Sequence, residues 1–246
     1  MTKVIIIGSG NVATHLIKAF YKSSKVQVIQ LFNRSATSTE GIPVTNSYDE
    51  LLNADLYIIA VSDDSISEVS HKLPFKGRLV VHTSGSVALD ELAPENRRGV
   101  FYPLQSFSRN KDISFAGIPL CIEAGNDEDR KLLEYVAHSI SRKVYRVNSE
   151  QRRSLHLAAV FVNNFVNHLY AIGNDICKKN DLSFDLLKPL IAETAEKIEN
   201  MSPAEAQTGP AKRHDETTVQ KHLDQLNTYP TYKKIYETLT KSIQKH

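Results

Sequence analysis

The 246-residue chain has 30 basic and 28 acidic residues, a formal charge of +2 and 41% hydrophobic residues, proportions that exclude wholesale disorder. The basic pairs Lys178-Lys179 and Lys233-Lys234 are interleaved with acids, so no electrostatic footprint for nucleic acid emerges. Cys121 and Cys177 sit in apolar stretches, no His or Cys cluster has metal-ligand spacing, and no apolar run reaches the ~20 residues of a membrane span, which leaves a cytoplasmic protein without metal as the expectation.

Short β-branched apolar runs at 4–7, 26–32, 56–61 and 79–82 predict strands. Between them, Val12, Leu16, Ala19 and Phe20 recur at helical spacing, and Tyr48, Leu51 and Leu52 suggest a shorter helix. Further strands are expected at 99–103 and 118–123, then a helix over 126–141 opened by Asn126-Asp127, and a closing strand at 143–147. Beyond residue 148 the periodicity becomes helical throughout. One long helix is expected over 149–180 and a second over 183–201, followed by an irregular stretch punctuated by Pro203, Gly209 and Pro210, and one or two final helices. The fold class is therefore α/β, with a doubly wound, mostly parallel Rossmann domain at 1–148 and an all-helical domain at 149–246.

The strongest motif is Gly8-Ser9-Gly10-Asn11-Val12-Ala13, which leaves the first strand and opens the first helix as G-x-G-x-x-G/A requires. Gly8 suits the tight turn, Gly10 lets backbone approach a diphosphate, and Ala13 lets the helix pack near the strand. The anion would sit on the helix N-terminus, where unpaired N–H groups and the dipole favour negative charge. After the second strand the chain reads Asn33-Arg34-Ser35, with no carboxylate to grip a ribose 2′-hydroxyl and a guanidinium and hydroxyl to hold a phosphate, so NADP is expected over NAD unless Arg34 is a solvated turn residue. Ala60-Val61-Ser62 should line the cofactor at the carboxyl edge of the next strand, and Asp63 and Asp64 read most simply as N-terminal residues of the helix that follows.

Hydride transfer also needs a proton donor or acceptor near the reacting carbon. His82 and Ser84 lie just past a strand end, with His82 equally readable as a structural cap. On the long helix, His156 precedes Asn163 and Asn164 by about two turns, so these polar groups can share an otherwise apolar face, either around substrate or bonded to one another in a dimer core. Arg213, in the loop 209–215, could grip a carboxylate or pair locally with Asp215.

Four further segments, His82-Thr83-Ser84-Gly85-Ser86, Tyr102-Pro103-Leu104-Gln105-Ser106-Phe107, His156 to Phe161 with Asn164-Phe165, and Thr208 to Asp215, give the chain a resemblance to a known group. It resembles a bacterial family of Rossmann-like NADP oxidoreductases whose helical C-terminal domain has no assigned function, related to pyrroline-5-carboxylate reductase, 6-phosphogluconate dehydrogenase and β-hydroxyacid dehydrogenases. The resemblance implies that the helical domain supplies a homodimer contact and part of a small-molecule substrate pocket, and it supports His156 with Asn164 as a substrate-binding pair; with the readings above, the catalytic candidates are His156, Asn164 and Ser84, and the further pocket candidates are His82, Gln105 and Arg213. Two positions depart from it: Tyr102 stands where histidine is common, and His214 where glycine is common. The expected activity is hydride transfer between NADP(H) and a carbonyl, hydroxyl or imine centre, with a non-catalytic NADPH sensor as the alternative.

Overall fold

Strand β1 (Thr2–Ile7) shows how a β-branched run becomes the middle of a sheet. Val4 and Ile6 join one hydrophobic cluster, Ile5 and Ile7 another, and all four are fully buried, as expected of a strand covered on both faces. The computed structural model describes residues 1–35, 41–109 and 111–245. It adds β2 (Val26–Phe32), β3 (Val44–Thr45), β4 (Leu56–Ile59), β5 (Leu79–His82), β6 (Arg97–Pro103), β7 (Leu120–Ala124) and β8 (Val144–Arg146). The sheet order is β3-β2-β1-β4-β5-β6-β7-β8, with every pairing parallel except β6 with β7.

Helices α1 (Asn11–Tyr21) and α3 (Asp127–His138) contribute Ala13, Leu16, Ile17, Phe20, Leu133 and Val136 to one core. The short α2 (Ile66–His71) contributes Ile66 to the other. Asn126 caps α3 by accepting from the Asp129 amide, and three acids fill its first turn, as its sequence suggests. The reversal of β1 order at β4 creates the switch point at which open α/β sheets form a crevice.

The helix expected at Tyr48-Leu52 is corrected to a single 3₁₀ turn, Tyr48–Glu50. Gln30 on β2 donates to the Glu50 carbonyl and accepts from the Leu52 amide, so the backbone groups that would continue a helix are taken by a strand side chain. Strand β4 also stops at Ile59, earlier than its apolar run, and β3 is too short to stand out in sequence.

The chain forms two compact units, Met1–Asn163 and Asn164–His246. Helix α4 (Ser149–Ala159) starts beyond a capping box of Asn148 and Gln151. A π-helical turn, Val160–Phe165, interrupts the expected long helix before α5 (Val166–Lys179), and the division between units falls inside that turn. The second unit continues with α6 (Lys188–Asn200), the single turn α7 (Pro203–Ala206), α8 (Glu216–Gln225) and α9 (Pro230–Gln244). Within it Tyr232 donates to Asp175, and Lys179 lies 4.0 Å from the Tyr229 ring. Among the described residues no helix is long and apolar enough to cross a membrane.

Candidate cofactor cleft and the adjoining polar cluster

A cleft of about 510 Å³ opens at the carboxyl ends of β1, β2 and β4. Gly8, Ser9, Gly10, Asn11, Val12, Asn33, Arg34, Ala60, Val61 and Ser62 all line it, so one crevice gathers ten of the eleven residues assigned from sequence to cofactor binding. Ser35 is outside the lining and instead donates to the Asn33 side-chain carbonyl from both its amide and its hydroxyl. Tyr48, Ser65, Glu68 and Lys72 also line the cleft, and the sequence did not mark them for a cofactor.

The two glycines of the turn are there for different reasons. Gly8 has φ +124°, and a Cβ on it would lie 2.3 Å from the Ala60 carbonyl oxygen, so the fold itself demands glycine. Gly10 has φ −74°, open to any residue, and a Cβ there would meet nothing within 4 Å. Among the described residues no neighbour requires the missing side chain. Gly10 is also the N-cap of α1 and brings no side chain to bond the leading N–H groups, and no acid occupies the first turn. Those features fit an anion laid against backbone.

In the same lining, Glu68 on α2 forms an ion pair with Lys72, the residue that caps the helix, and the charge of Arg34 reaches Glu68. The hydrogen bond from Lys72 is the main cause that holds the Glu68 carboxyl below its ordinary range. Tyr48 stacks on Phe32 at 4.3 Å between ring centres, and burial raises its phenol. The Asn11 side chain is turned away from ligand duty, since Nδ2 donates to the Phe107 carbonyl at 2.9 Å.

Next along the same edge, residues 82–87 fold over a buried polar cluster. His82 is fully buried, with Nδ1 accepting from the Ser84 amide at 3.2 Å. Its Nε2 has no hydrogen-bond partner among the described residues. Burial, reinforced by the Arg152 guanidinium, pushes its pKa down to about 4, so the ring is neutral. Ser84 is buried as well, and its hydroxyl accepts from the Ser86 and Val87 amides. Asp63 opens the 3₁₀ turn Asp63–Ser65 that leads into α2, as its sequence suggests, and its carboxylate also accepts from the Ser86 hydroxyl, so it ties this loop to the turn that follows β4.

Arg152 carries the loop. It is wholly inaccessible and donates to the carbonyls of Ser84 (3.0 Å) and Val87 (2.6 Å), to Ser149 Oγ (3.1 Å) and to Glu123 Oε2 (3.2 Å). Burial lowers its pKa while Glu123 pulls the other way. Glu123 also accepts from the Ser149 amide at the first turn of α4, a favourable place for a carboxylate. Sequence reasoning overlooked both partners because Arg152 stands beside the exposed Arg153, and nothing local marks one of the two as interior.

His156, half-buried on α4, meets the one residue noted as a departure in this region. Tyr102 Oη lies 3.2 Å from His156 Nδ1, and the rings meet edge to face at 6.2 Å. Burial raises the Tyr102 phenol to about 12. A Cβ at Gly85 would come within 2.6 Å of His156 Nδ1 and 2.7 Å of Tyr102 Cζ.

Three further candidates are exposed. Gln105 is exposed, and its side-chain carbonyl accepts from the Ser106 amide. Asn164 is exposed and belongs to the π turn, whose wider period differs from the 3.6 residues expected of this stretch. Arg213 is exposed, and among the described residues it makes no ion pair with Asp215, which instead caps α8 through Thr218. The second departure, His214, has φ +52°, the left-handed region in which glycine is at ease.

Residues 118–243 match the family described as a domain of unknown function, DUF2520, and residues 1–105 match a Rossmann-like domain. A search of curated proteins found no match. Among solved structures, a Bacteroides fragilis protein provisionally named an NADP oxidoreductase is 38% identical, with a TM-score of 0.90 over 100% of this chain and 98% of its own. At 14% identity, pyrroline carboxylate reductase from Plasmodium falciparum with NADP bound gives a TM-score of 0.64 over 99% of this chain and 100% of its own. An imine reductase from Myxococcus stipitatus in complex with NADP+ gives 0.65 at 14% identity, over 99% and 93%. The last two likenesses concern the fold alone.

Proposed function

The chain belongs to the DUF2520 family, carried behind a Rossmann-like domain, and from that premise we propose that it is an NADP-dependent oxidoreductase acting on a small carbonyl, hydroxyl or imine compound. The observation that carries the cofactor is Gly10, a residue with no side chain, no strained φ and, among the described residues, no neighbour that needs the space, at the start of α1, where no side chain caps the helix. The names of the 38% identical Bacteroides protein and of the NADP-bound structural neighbours support the same reading.

Ser9, Gly10, Asn11 and Val12 hold the diphosphate through backbone N–H groups at the helix start. Arg34 and Lys72 hold the 2′-phosphate, with Lys72 turning from Glu68 to do so, while Asn33 shapes the turn through its bonds to Ser35. Ala60, Val61 and Ser62 wall the path towards the nicotinamide end. When bound, the reduced nicotinamide supplies hydride. His156 orients the substrate, and Ser84 and His82 shape the loop beneath it. Asn164, Gln105 and Arg213 stay candidates for substrate contact from their exposed positions.

We place a homodimer in the same proposal, because the second unit exposes Leu182, Leu186, Leu190 and Ile198 at 54–70% of their surface, an apolar cost that a partner removes. Light scattering after size exclusion should give twice 27.6 kDa. The decisive test of the activity is titration with NADPH and NADH, followed by loss of NADPH absorbance against a panel of oxo-acids, aldehydes and cyclic imines. Tighter binding of NADPH with turnover of at least one class is expected. No affinity for either dinucleotide would overturn the proposal, and binding without turnover across the panel would favour the sensor.

A further inference from the structure

We propose that Tyr102 is a positioning residue that fixes the tautomer of His156, so that His156 presents an N–H donor to an oxygen acceptor of the substrate, a carbonyl or a carboxylate. The assignment of an acceptor rests on the oxidoreductase reading above; the fixing of the tautomer does not.

A phenol has one proton to give. Tyr102 is 8% exposed, and its hydroxyl has one hydrogen-bond partner among the described residues, His156 Nδ1 at 3.2 Å. Were Nδ1 to carry the proton and donate, the phenol proton would be left without its one acceptor among the described residues. With the phenol donating, both groups are satisfied, and the imidazole proton is left on Nε2. Burial that raises the phenol to about 12 agrees with Tyr102 keeping its proton to donate.

Gly85 supplies an independent observation. Its φ is not positive, so no turn demands glycine there, yet a Cβ would strike His156 Nδ1 at 2.6 Å and Tyr102 Cζ at 2.7 Å, the two groups that meet. The chain has given up a side chain inside the 82–86 segment to let this pair form. His82 offers a contrast within the same segment: its Nδ1 also accepts, but the ring is fully buried, so its Nε2 is closed to any ligand, whereas His156 is half-buried on α4. A neutral ring held with Nε2 as the donor can polarise a carbonyl or hold a carboxylate. In that form it cannot take a proton from a hydroxyl at Nε2.

Long-range ¹H–¹⁵N correlation of the ¹⁵N-labelled full chain at about pH 8.5, above the ordinary histidine range, reads the tautomer directly. His156 is assigned by the resonances lost in His156→Gln. The Nε2–H form is expected to exceed the Nδ1–H form by at least about tenfold in the unmodified protein, and the bias should fall to the weaker Nε2–H preference of a free histidine side chain in Tyr102→Phe, which keeps the ring and its packing. An Nδ1–H form in the unmodified protein overturns the proposal without need of any variant, as does an unchanged ratio in a folded Tyr102→Phe. NADPH titration of the same sample reports separately on the oxidoreductase reading, so the two can fail apart.

Discussion

The cleft lined by Gly8 to Val12 and the cluster around Arg152 share the carboxyl edge of one sheet, but they are built from different material. The glycine turn of the cleft offers backbone, with Ser9, Gly10, Asn11 and Arg34 all exposed. The cluster is a guanidinium sealed from water and held by two carbonyls, a hydroxyl and a carboxylate. A site of the first kind can lose its ligand and keep its fold. One of the second kind fails as structure before it fails as chemistry, because a buried charge stripped of partners costs several kcal/mol.

The sharpest way to test that contrast is Arg152→Ala. It leaves Glu123 half-sealed beside α4 and the Ser84 and Val87 carbonyls unpaired, and should destabilise the protein by about 3–5 kcal/mol in urea unfolding. A loss under about 1 kcal/mol would show that the cluster is not what holds the loop. Acid should probe the same region. The folded state keeps His82 neutral with a pKa of about 4, against about 6.5 when unfolded, so the unfolded chain binds the extra proton first. Stability from this group is complete above about pH 6.5 and falls by about 3 kcal/mol as pH drops towards 4, and His82→Gln should flatten that slope.

In the cleft, the two turn glycines should part company. Gly8→Ala forces a methyl against the Ala60 carbonyl at a positive φ and should cost about 2 kcal/mol of stability. Gly10→Ala should leave the melting temperature in place and still weaken NADPH, and equal effects on stability would erase the distinction. Arg34→Ala should weaken NADPH more than NADH by about 1–3 kcal/mol, seen by calorimetric titration; equal losses would end the case for phosphate selectivity. The smallest effect belongs to the second unit, where His214→Gly should relieve the φ of +52° and add up to about 1 kcal/mol.

What could be read from the sequence follows the same division. The glycine turn, the strands and Arg34 are local: neighbours in the chain are neighbours in the cleft, so period and motif suffice. The sheet was legible except for β3, two residues long, and the 3₁₀ turn at Tyr48, where Gln30 took the backbone groups that a helix would have used. Arg152 and Glu123 stood apart by 29 positions and looked like any surface pair. Lys72 was invisible as a cleft residue because its one local partner, Glu68, makes it read as an ordinary helix ion pair. Tyr102 and His214 drew attention only as departures from relatives, and each proved to sit where geometry gives the residue meaning, one against His156 and one at a left-handed turn.

Asn11 has a last consequence for anyone who would re-engineer the opening turn. Its amide group is committed to the Phe107 carbonyl, and four residues on, His15 bonds the Ser108 carbonyl, so this face of α1 clasps the stretch that follows β6. Grafting the glycine turn of another dinucleotide-binding protein onto this scaffold would transplant the anion cradle intact and unbutton that stretch at the same stroke.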